Sequence, residues 1–404
     1  MKSWRDVMVA VGAVLVVGAG GRPARGGDVL HLTLSEAIRR GLEHNLAAVL
    51  AEQSVQEASG GRAVAASGLL PHLSAGVSQA REKINLEAYG LPVAPGESPL
   101  IGPFSVFDAR VSVSQSLVDL ASAGRSRAGR ERLAAARLSA QDVRDTVVAE
   151  CAGLYLEVVT GESRVAAATA QARTAKALYD RAVDLRAQGM VPGIDVLRAQ
   201  VQLEGEQQKV IVEENRTAKL KLALARAIGV PLGDAIELVD RVPFTPVHPE
   251  SVDDALRKAL AHRADYRAAQ ATLTAAEAER DAVRGEDLPS LVAVGDVGTI
   301  GSTPRGAKET YSLAAALRIP IFAGGAVRGK ALIAAARVKE EQARLEDLRA
   351  RIEFEVRAAY LDLQAAADRV KVGESAVSLA ARQLEQAQDR YSAGVANSIE
   401  VVQA

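Results

Sequence analysis

Two long segments of the chain share one spacing of apolar residues. Over about residues 121–188 and 325–391, apolar or small residues recur every three or four positions, and neither segment contains proline. Leu133, Val147 and Val158 belong to this row in the first segment. A row that narrow is typical of the contact seam of a coiled coil. We therefore expect two helices, each roughly 100 Å long at ~1.5 Å rise per residue.

Four other segments alternate with a period of two, which predicts β-strands. They cover about residues 73–84, 105–117, 290–300 and 310–322. In the second segment, Phe107, Ala109, Val111 and Val113 alternate with Asp108, Arg110, Ser112 and Ser114. Such strands have one apolar face and one polar face. Residues 85–103, rich in glycine and proline, and residues 301–307 are predicted to be the loops that join the strands in pairs.

The same order of elements occurs twice. Helices predicted over residues 32–67 and 251–283 each precede one pair of strands, and a long helix follows each pair. Leu70-Pro71 and Leu288-Pro289 lie 218 positions apart, while Tyr155 and Tyr360 lie 205 positions apart. This recurrence predicts two structural repeats. They cover residues 28–232 and 251–404, and residues 233–250 form a linker or equatorial segment between them.

The two repeats differ in length after the long helix. In the first repeat a helix is predicted over about residues 194–228, whereas the second repeat reaches Ala404 one turn into the equivalent helix. We therefore expect that the sequence is truncated and lacks the last returning helix. A longer parent reading frame would confirm this expectation, and a natural stop codon after Ala404 would contradict it.

The N-terminus has the pattern of an export signal. Lys2 and Arg5 precede the apolar run Val7 to Val17, and small residues follow it. This order predicts a signal peptide over residues 1–27. The run is too short to span a membrane as a helix. An exported protein of this kind is periplasmic, secreted, or a β-barrel of an outer membrane.

Composition excludes several functions. The formal net charge is -1, which gives no electrostatic argument for a nucleic-acid partner. The single cysteine, Cys151, lies on the seam of the first long helix and cannot form an internal disulfide. The five histidines are scattered, and no catalytic triad or paired carboxylates can be argued from the spacing. We therefore predict no enzyme activity, no cofactor and no metal site.

The number of amphipathic strands per chain limits how a closed β-barrel could form. About eight strands are needed even for a barrel with a filled interior, so one chain cannot form a closed barrel alone. A cyclic trimer would supply twelve strands and leave no free edge. The predicted fold class is therefore an α+β membrane protein with two repeats, in which long coiled-coil helices continue a 12-stranded barrel formed by three copies.

Ordered motifs in both repeats resemble a known family. Leu34-Ser35-Glu36-Ala37-Ile38, Leu70-Pro71, Ile319-Pro320-Ile321-Phe322-Ala323-Gly324-Gly325 and Ile399-Glu400-Val401-Val402-Gln403-Ala404 are similar to segments of the TolC-type outer-membrane efflux proteins. The resemblance implies a homotrimer in the outer membrane of a Gram-negative bacterium, with a helical tunnel in the periplasm. It further implies an exit duct that works with a periplasmic adaptor protein and an inner-membrane pump, in an efflux or type I secretion system.

The resemblance also assigns roles to residues at the periplasmic tip. Asp195 and Glu400 match acidic residues of the family's constriction, and Tyr391 matches a tyrosine of its latch. A second acid of the family falls on Gln403, and the arginine partner of the latch falls on Ala396, so the same latch is not expected. The turns containing Gly189, Met190 and Val191, and Gly394 and Val395, match the surface that docks the adaptor.

Simpler interpretations stay open at this point. Asp195 and Glu400 also fit acids that stabilise a helix N-terminus, and each turn glycine fits a helix C-terminal cap. The chain as a whole could instead be a soluble periplasmic coiled-coil scaffold, with loops in place of the strands. Within the channel interpretation, the pattern does not distinguish export of drugs, metals or proteins.

Overall fold

The computed structural model describes residues 29–94, 96–240, 245, 250–393, 395, 401 and 404. Its helices are α1 (Leu34–His44), α2 (Leu46–Ser67), α3 (Leu120–Ala187), α4 (Gly193–Ala227), α5 (Val252–His262), α6 (Ala264–Gly285) and α7 (Ala326–Ser392). Its strands are β1 (Leu30–Leu32), β2 (His72–Asn85), β3 (Leu100–Val118), β4 (Ile236–Leu238), β5 (Ser290–Gly301) and β6 (Lys308–Arg318). The predicted signal peptide lies outside the described residues.

The single helices expected over residues 32–67 and 251–283 are each two helices, so both predictions were wrong. Asn45 ends α1 in an extended conformation with ψ 129°, and its side chain accepts a hydrogen bond from the Ala47 amide at 2.9 Å. Arg263 separates α5 from α6 with ψ 126°. The two breaks lie 218 positions apart, as other features of the repeats do. The apolar spacing continues across each break and therefore does not reveal it.

The ends of two strands also differ from the prediction. The strand expected over residues 310–322 ends at Arg318, because Pro320 has no backbone N–H to donate to a sheet. β3 begins at Leu100, inside the segment predicted to be a loop. There Leu100 and Ile101 pair with the end of β2, after a shift of register near Ile84.

The long helices pack closely because small residues lie at their contacts. α3 is 68 residues long and packs against α2, α4 and α6, while α7 is 67 residues long and packs against α5 and α6. A Cβ atom on Gly124 would lie 2.6 Å from the Ala282 Cα, and one on Gly285 would lie 2.7 Å from the Ala121 nitrogen. These glycines permit a backbone approach that a larger residue would prevent. None of the described helices combines the length and the apolarity needed to cross a membrane.

The four long strands form one antiparallel sheet in the order β2-β3-β5-β6. β3 of the first repeat pairs with β5 of the second, so the two strand pairs join side by side. The helices that continue from these strands pack in the same lateral order: α2 on α3, α3 on α6, and α6 on α7. The sheet and these helices therefore form one continuous layer, in which β2 and α2 lie at one edge and β6 and α7 lie at the other.

A second, parallel sheet joins β1 to β4. The segment containing β4 was predicted only as a linker or equatorial elaboration; of it, residues 241–244 and 246–249 lie outside the described residues. β1 and β4 cover a core that includes Tyr155, Val158 and Leu224, all of them 0% exposed. We call these residues, with Leu32, Cys151 and Ile228, the Tyr155 core.

Candidate functional site

The first candidate surface is the apolar face of the four-stranded sheet. Register places Ala75, Val111, Val297 and Tyr311 in neighbouring positions across the four strands, and their side chains share this face. Val77 is 75% exposed, Tyr311 is 82% exposed and Leu313 is 83% exposed. A contiguous apolar face of this extent marks a surface that contacts lipid or another protein.

The opposite face is polar and contains a cluster of charged side chains. Arg110 on β3 donates to Asp108 at 2.8 Å and to Asp296 on β5 at 2.7 Å. The Ser312 hydroxyl on β6 donates to the other oxygen of Asp296. Glycines flank Arg110 in its cross-strand row, Gly76 on one side and Gly298 on the other, and a Cβ atom on Gly298 would overlap the Arg110 side chain. Because Asp296 and Arg110 belong to different repeats, the cluster links them. The sequence analysis missed this link, which depends on strand register.

The turn between α3 and α4 is a closed helix cap. Gly189 has φ +73°, a conformation that favours glycine, and its amide donates to the Arg186 carbonyl at 2.9 Å. The Met190 amide donates to the Leu185 carbonyl at 2.9 Å, which completes a Schellman motif. Met190 is 61% exposed and Val191 is half-buried. The cap therefore leaves an apolar side chain at the tip.

The turn after α7 repeats one of these bonds. The Val395 amide donates to the Arg390 carbonyl at 2.9 Å, and these residues lie 205 positions after Met190 and Leu185. Val395 is 71% exposed. Gly394 lies outside the described residues. Both turns thus share a backbone bond and an exposed apolar residue.

The structure brings together only some of the predicted tip residues. Asp195 lies in the first turn of α4, where its carboxylate pairs with Arg198 at 3.3 Å. The pair is exposed, so its own contribution to stability is small, but the arginine offsets the charge of Asp195. Tyr391 lies in the last turn of α7, and nothing is described of its side chain. Glu400 lies outside the described residues.

Sequence reasoning missed the hydrogen bonds of the Tyr155 core. The Tyr155 hydroxyl donates to the Leu32 carbonyl at 3.1 Å and accepts from the Asp240 amide at 3.3 Å. The Asp240 carboxylate accepts from the Leu34 amide at 2.7 Å, at the N-terminus of α1. Burial raises the pKa of Tyr155, so it stays a neutral donor. The sequence shows that a tyrosine recurs 205 positions later, which indicates a structural role. It does not show which groups form hydrogen bonds with the Tyr155 hydroxyl.

Comparison with known proteins identifies the family. The model of the outer membrane efflux protein family matches residues 37–230 and again residues 255–404. The chain belongs to the outer membrane efflux protein family. This confirms the resemblance found in the sequence, and the two matches correspond to the two predicted repeats. Membership places the protein in the outer membrane of a Gram-negative bacterium, with its helical part in the periplasm.

Individual relatives support the same assignment. The chain is 30% identical to protein CyaE of Bordetella pertussis over 228 residues, which are 54% of this chain and 47% of CyaE. It is 24% identical to the pyoverdine export outer membrane protein OpmQ of Pseudomonas aeruginosa over 387 residues, 92% of this chain and 78% of OpmQ. The chain spans about half of CyaE, and 64% of OpmQ from Pseudomonas putida.

Solved structures show the same fold. The outer membrane protein VceC of Vibrio cholerae matches with a TM-score of 0.77 at 20% identity, covering 91% of this chain and 88% of VceC. The outer-membrane channel OprN matches with a TM-score of 0.76 at 17% identity, covering 92% of this chain and 82% of OprN. At these identities the likeness concerns the fold alone.

Proposed function

We propose that three copies of the chain form an outer-membrane channel, the exit duct of a tripartite efflux or type I secretion system. The observation that supports this most is the shared lateral order of strands and helices. Because each strand continues into a helix of the same layer, closure of the sheet also closes the helices. Three copies would then make a 12-stranded barrel continued by a helical tunnel.

The two faces of the sheet support its orientation in such a barrel. Lipid requires an apolar outer band, which the exposed face with Val77, Tyr311 and Leu313 supplies. The polar face with Arg110 and Asp296 would line the aqueous interior. The alternation along each strand is thus the pattern of a transmembrane barrel strand.

For the periplasmic end, we propose that the two turns dock an adaptor protein, which in turn contacts an inner-membrane pump. Gly189, Met190 and Val191 form one turn and Gly394 and Val395 belong to the other. The exposed side chains of Met190 and Val395 support an apolar docking contact. Asp195, Glu400 and Tyr391 are proposed to line the constriction beside these turns, where threefold symmetry would gather carboxylates into a ring that attracts cations.

A pair of substitutions on opposite faces of β6 tests the barrel. Leu313→Lys places a charge on the apolar face, and Thr310→Lys places the same charge on the polar face. In a lipid-facing barrel the first change costs ~2–4 kcal/mol at mid-depth, whereas the second costs little. We expect Leu313→Lys to reduce the yield of the detergent-resistant trimer in outer-membrane fractions, and Thr310→Lys to leave it unchanged.

The competing function, a soluble periplasmic scaffold, predicts a different result. Since Leu313 is 83% exposed in the single chain, a soluble monomer would tolerate lysine at either position. Equal yields of both variants in the soluble fraction, together with no conductance of the wild-type protein in planar bilayers, would exclude the channel.

A further inference from the structure

The two strand pairs of the chain have the same internal register. In the first pair His72 lies opposite Ser114, and in the second Ser290 lies opposite Arg318. His72 and Ser290 are 218 positions apart, as the two Leu-Pro motifs are. Ser114 and Arg318 are 204 positions apart, one fewer than the tyrosines of the long helices. The second strand pair therefore repeats the pairing of the first.

The contact between the two pairs shows how one repeat meets the next. Within the chain, β3 pairs with β5, and Val113 lies opposite Gly295. A separation of 204 positions carries Val113 to Leu317 on β6, and one of 218 positions carries Gly295 back to Val77 on β2. Because β6 has the place of β3 and β2 has the place of β5, a contact between β6 of one copy and β2 of the next would repeat the contact inside the chain.

We propose that β6 of one copy pairs with β2 of the next in the register that sets Leu317 opposite Val77. This inference rests on the proposed function, which supplies the neighbouring copy, and adds which residues meet. Both side chains lie on the apolar face, Leu317 63% and Val77 75% exposed in the single chain, and each covers the other across the contact. A register shifted by one residue would turn the polar side chains of one strand to the apolar face.

The polar face gives an independent reason for this register, which sets Arg318 opposite Gly76 of the next copy. A Cβ atom on Gly76 would have no heavy atom within 4 Å in the single chain, so there is room above it for a long side chain. Within the chain, Arg110 lies opposite Gly298 in the same way, and a Cβ atom on Gly298 would overlap the Arg110 side chain. A register shifted by two residues in either direction would set Arg318 opposite a serine instead.

Disulfide cross-linking of the full-length protein in membranes measures the register. Directly opposite residues have Cα atoms about 4.5–5.5 Å apart, within the range of a disulfide, whereas residues displaced by two positions lie about 7–8 Å apart. We expect Leu317→Cys/Val77→Cys to link copies roughly tenfold faster on denaturing gels than the matched variants Leu317→Cys/Ala75→Cys and Leu317→Cys/Gln79→Cys. In one chain Leu317 and Val77 lie on opposite edges of the sheet, at least three strand spacings or ~14 Å apart, so the disulfide joins two copies.

Substitution of Gly76 tests the contact on the polar face. Gly76→Leu fills the space that Arg318 of the next copy takes, so the yield of the detergent-resistant trimer should fall roughly fivefold or more. Arg318→Gly in the same chain should restore the yield. The matched control is Ser78→Leu, which lies opposite Ala316 of the next copy in this register and should leave the yield unchanged.

Each outcome decides the inference. Fastest linkage of the Ala75→Cys or Gln79→Cys variant, or no linkage of any variant in a stable trimer, would overturn the register while leaving the channel established. Equal trimer yields of Gly76→Leu and Ser78→Leu, or no restoration by Arg318→Gly, would overturn it as well. A wild-type protein that forms neither a trimer nor a conducting pore would refute the proposed function instead, and the inference with it.

Discussion

Tyr155→Phe isolates the hydrogen bonds that hold β1 and β4 to α3. The change removes only the hydroxyl, which donates to Leu32 and accepts from Asp240. The Leu32 carbonyl keeps a second bond from the Val239 amide at 3.1 Å, but the Asp240 amide loses its partner. A net loss of about 0.5–1.5 kcal/mol for each of these two bonds gives a local destabilisation of about 1–3 kcal/mol.

That magnitude corresponds to a roughly 5–150-fold increase in local opening. Limited proteolysis within residues 236–240 reports this opening when closing is faster than cleavage, so we expect the cleavage rate to rise by the same factor. The matched control is Tyr360→Phe, because Tyr360 occupies the equivalent position in the second repeat but is half-buried. Equal cleavage of wild-type and Tyr155→Phe protein would refute the assignment of β4 to this core.

Three further outcomes follow from single side chains. Cys151 is buried, and burial raises the pKa of its thiol. We therefore expect a maleimide to label Cys151 only after unfolding, measured as the mass of the labelled protein. Burial and the nearby Asp265 raise the pKa of Asp142, so its charged form disfavours the fold; Asp142→Asn should raise the melting temperature at pH 7 but not below about pH 4. Because Asp195 pairs with Arg198, Arg198→Ala should strengthen cation block of the channel in single-channel recordings, and an unchanged block would contradict the role of the pair.

The sequence predicted the features that depend on local periodicity. The seam of α3 and the alternation in β3 follow from side-chain geometry within one element, so both could be found without a structure. The turn at Gly189 could also be predicted from the sequence, because a glycine that follows a long helical pattern of apolar residues commonly marks the end of a helix. The fold class follows from these elements and their repetition.

Features that depend on contacts between distant elements could not be predicted. The bond between Arg110 and Asp296 exists only in one register of β3 and β5, and the sequence does not show which strands are neighbours. β1 and β4 are three residues each, too short to show a period. The break at Asn45 was hidden because the spacing of small and apolar residues continues across it, with Ala37 and Gly41 buried before the break and Ala48 buried after it.

The edges of the layer argue most directly for association of several copies. Among the described residues of the single chain, β2 and β6 each lack a neighbouring strand on one side, and nearly all their residues are exposed. The helices at the same edges, α2 and α7, expose apolar side chains such as Val64 at 74% and Ile333 at 58%. Open strand edges invite pairing in water, and in lipid each unpaired backbone group costs several kcal/mol. Since one edge of the layer combines strand and helix, a second copy that pairs with β6 must also cover α7. The barrel and the tunnel would therefore assemble through one continuous contact between neighbouring copies.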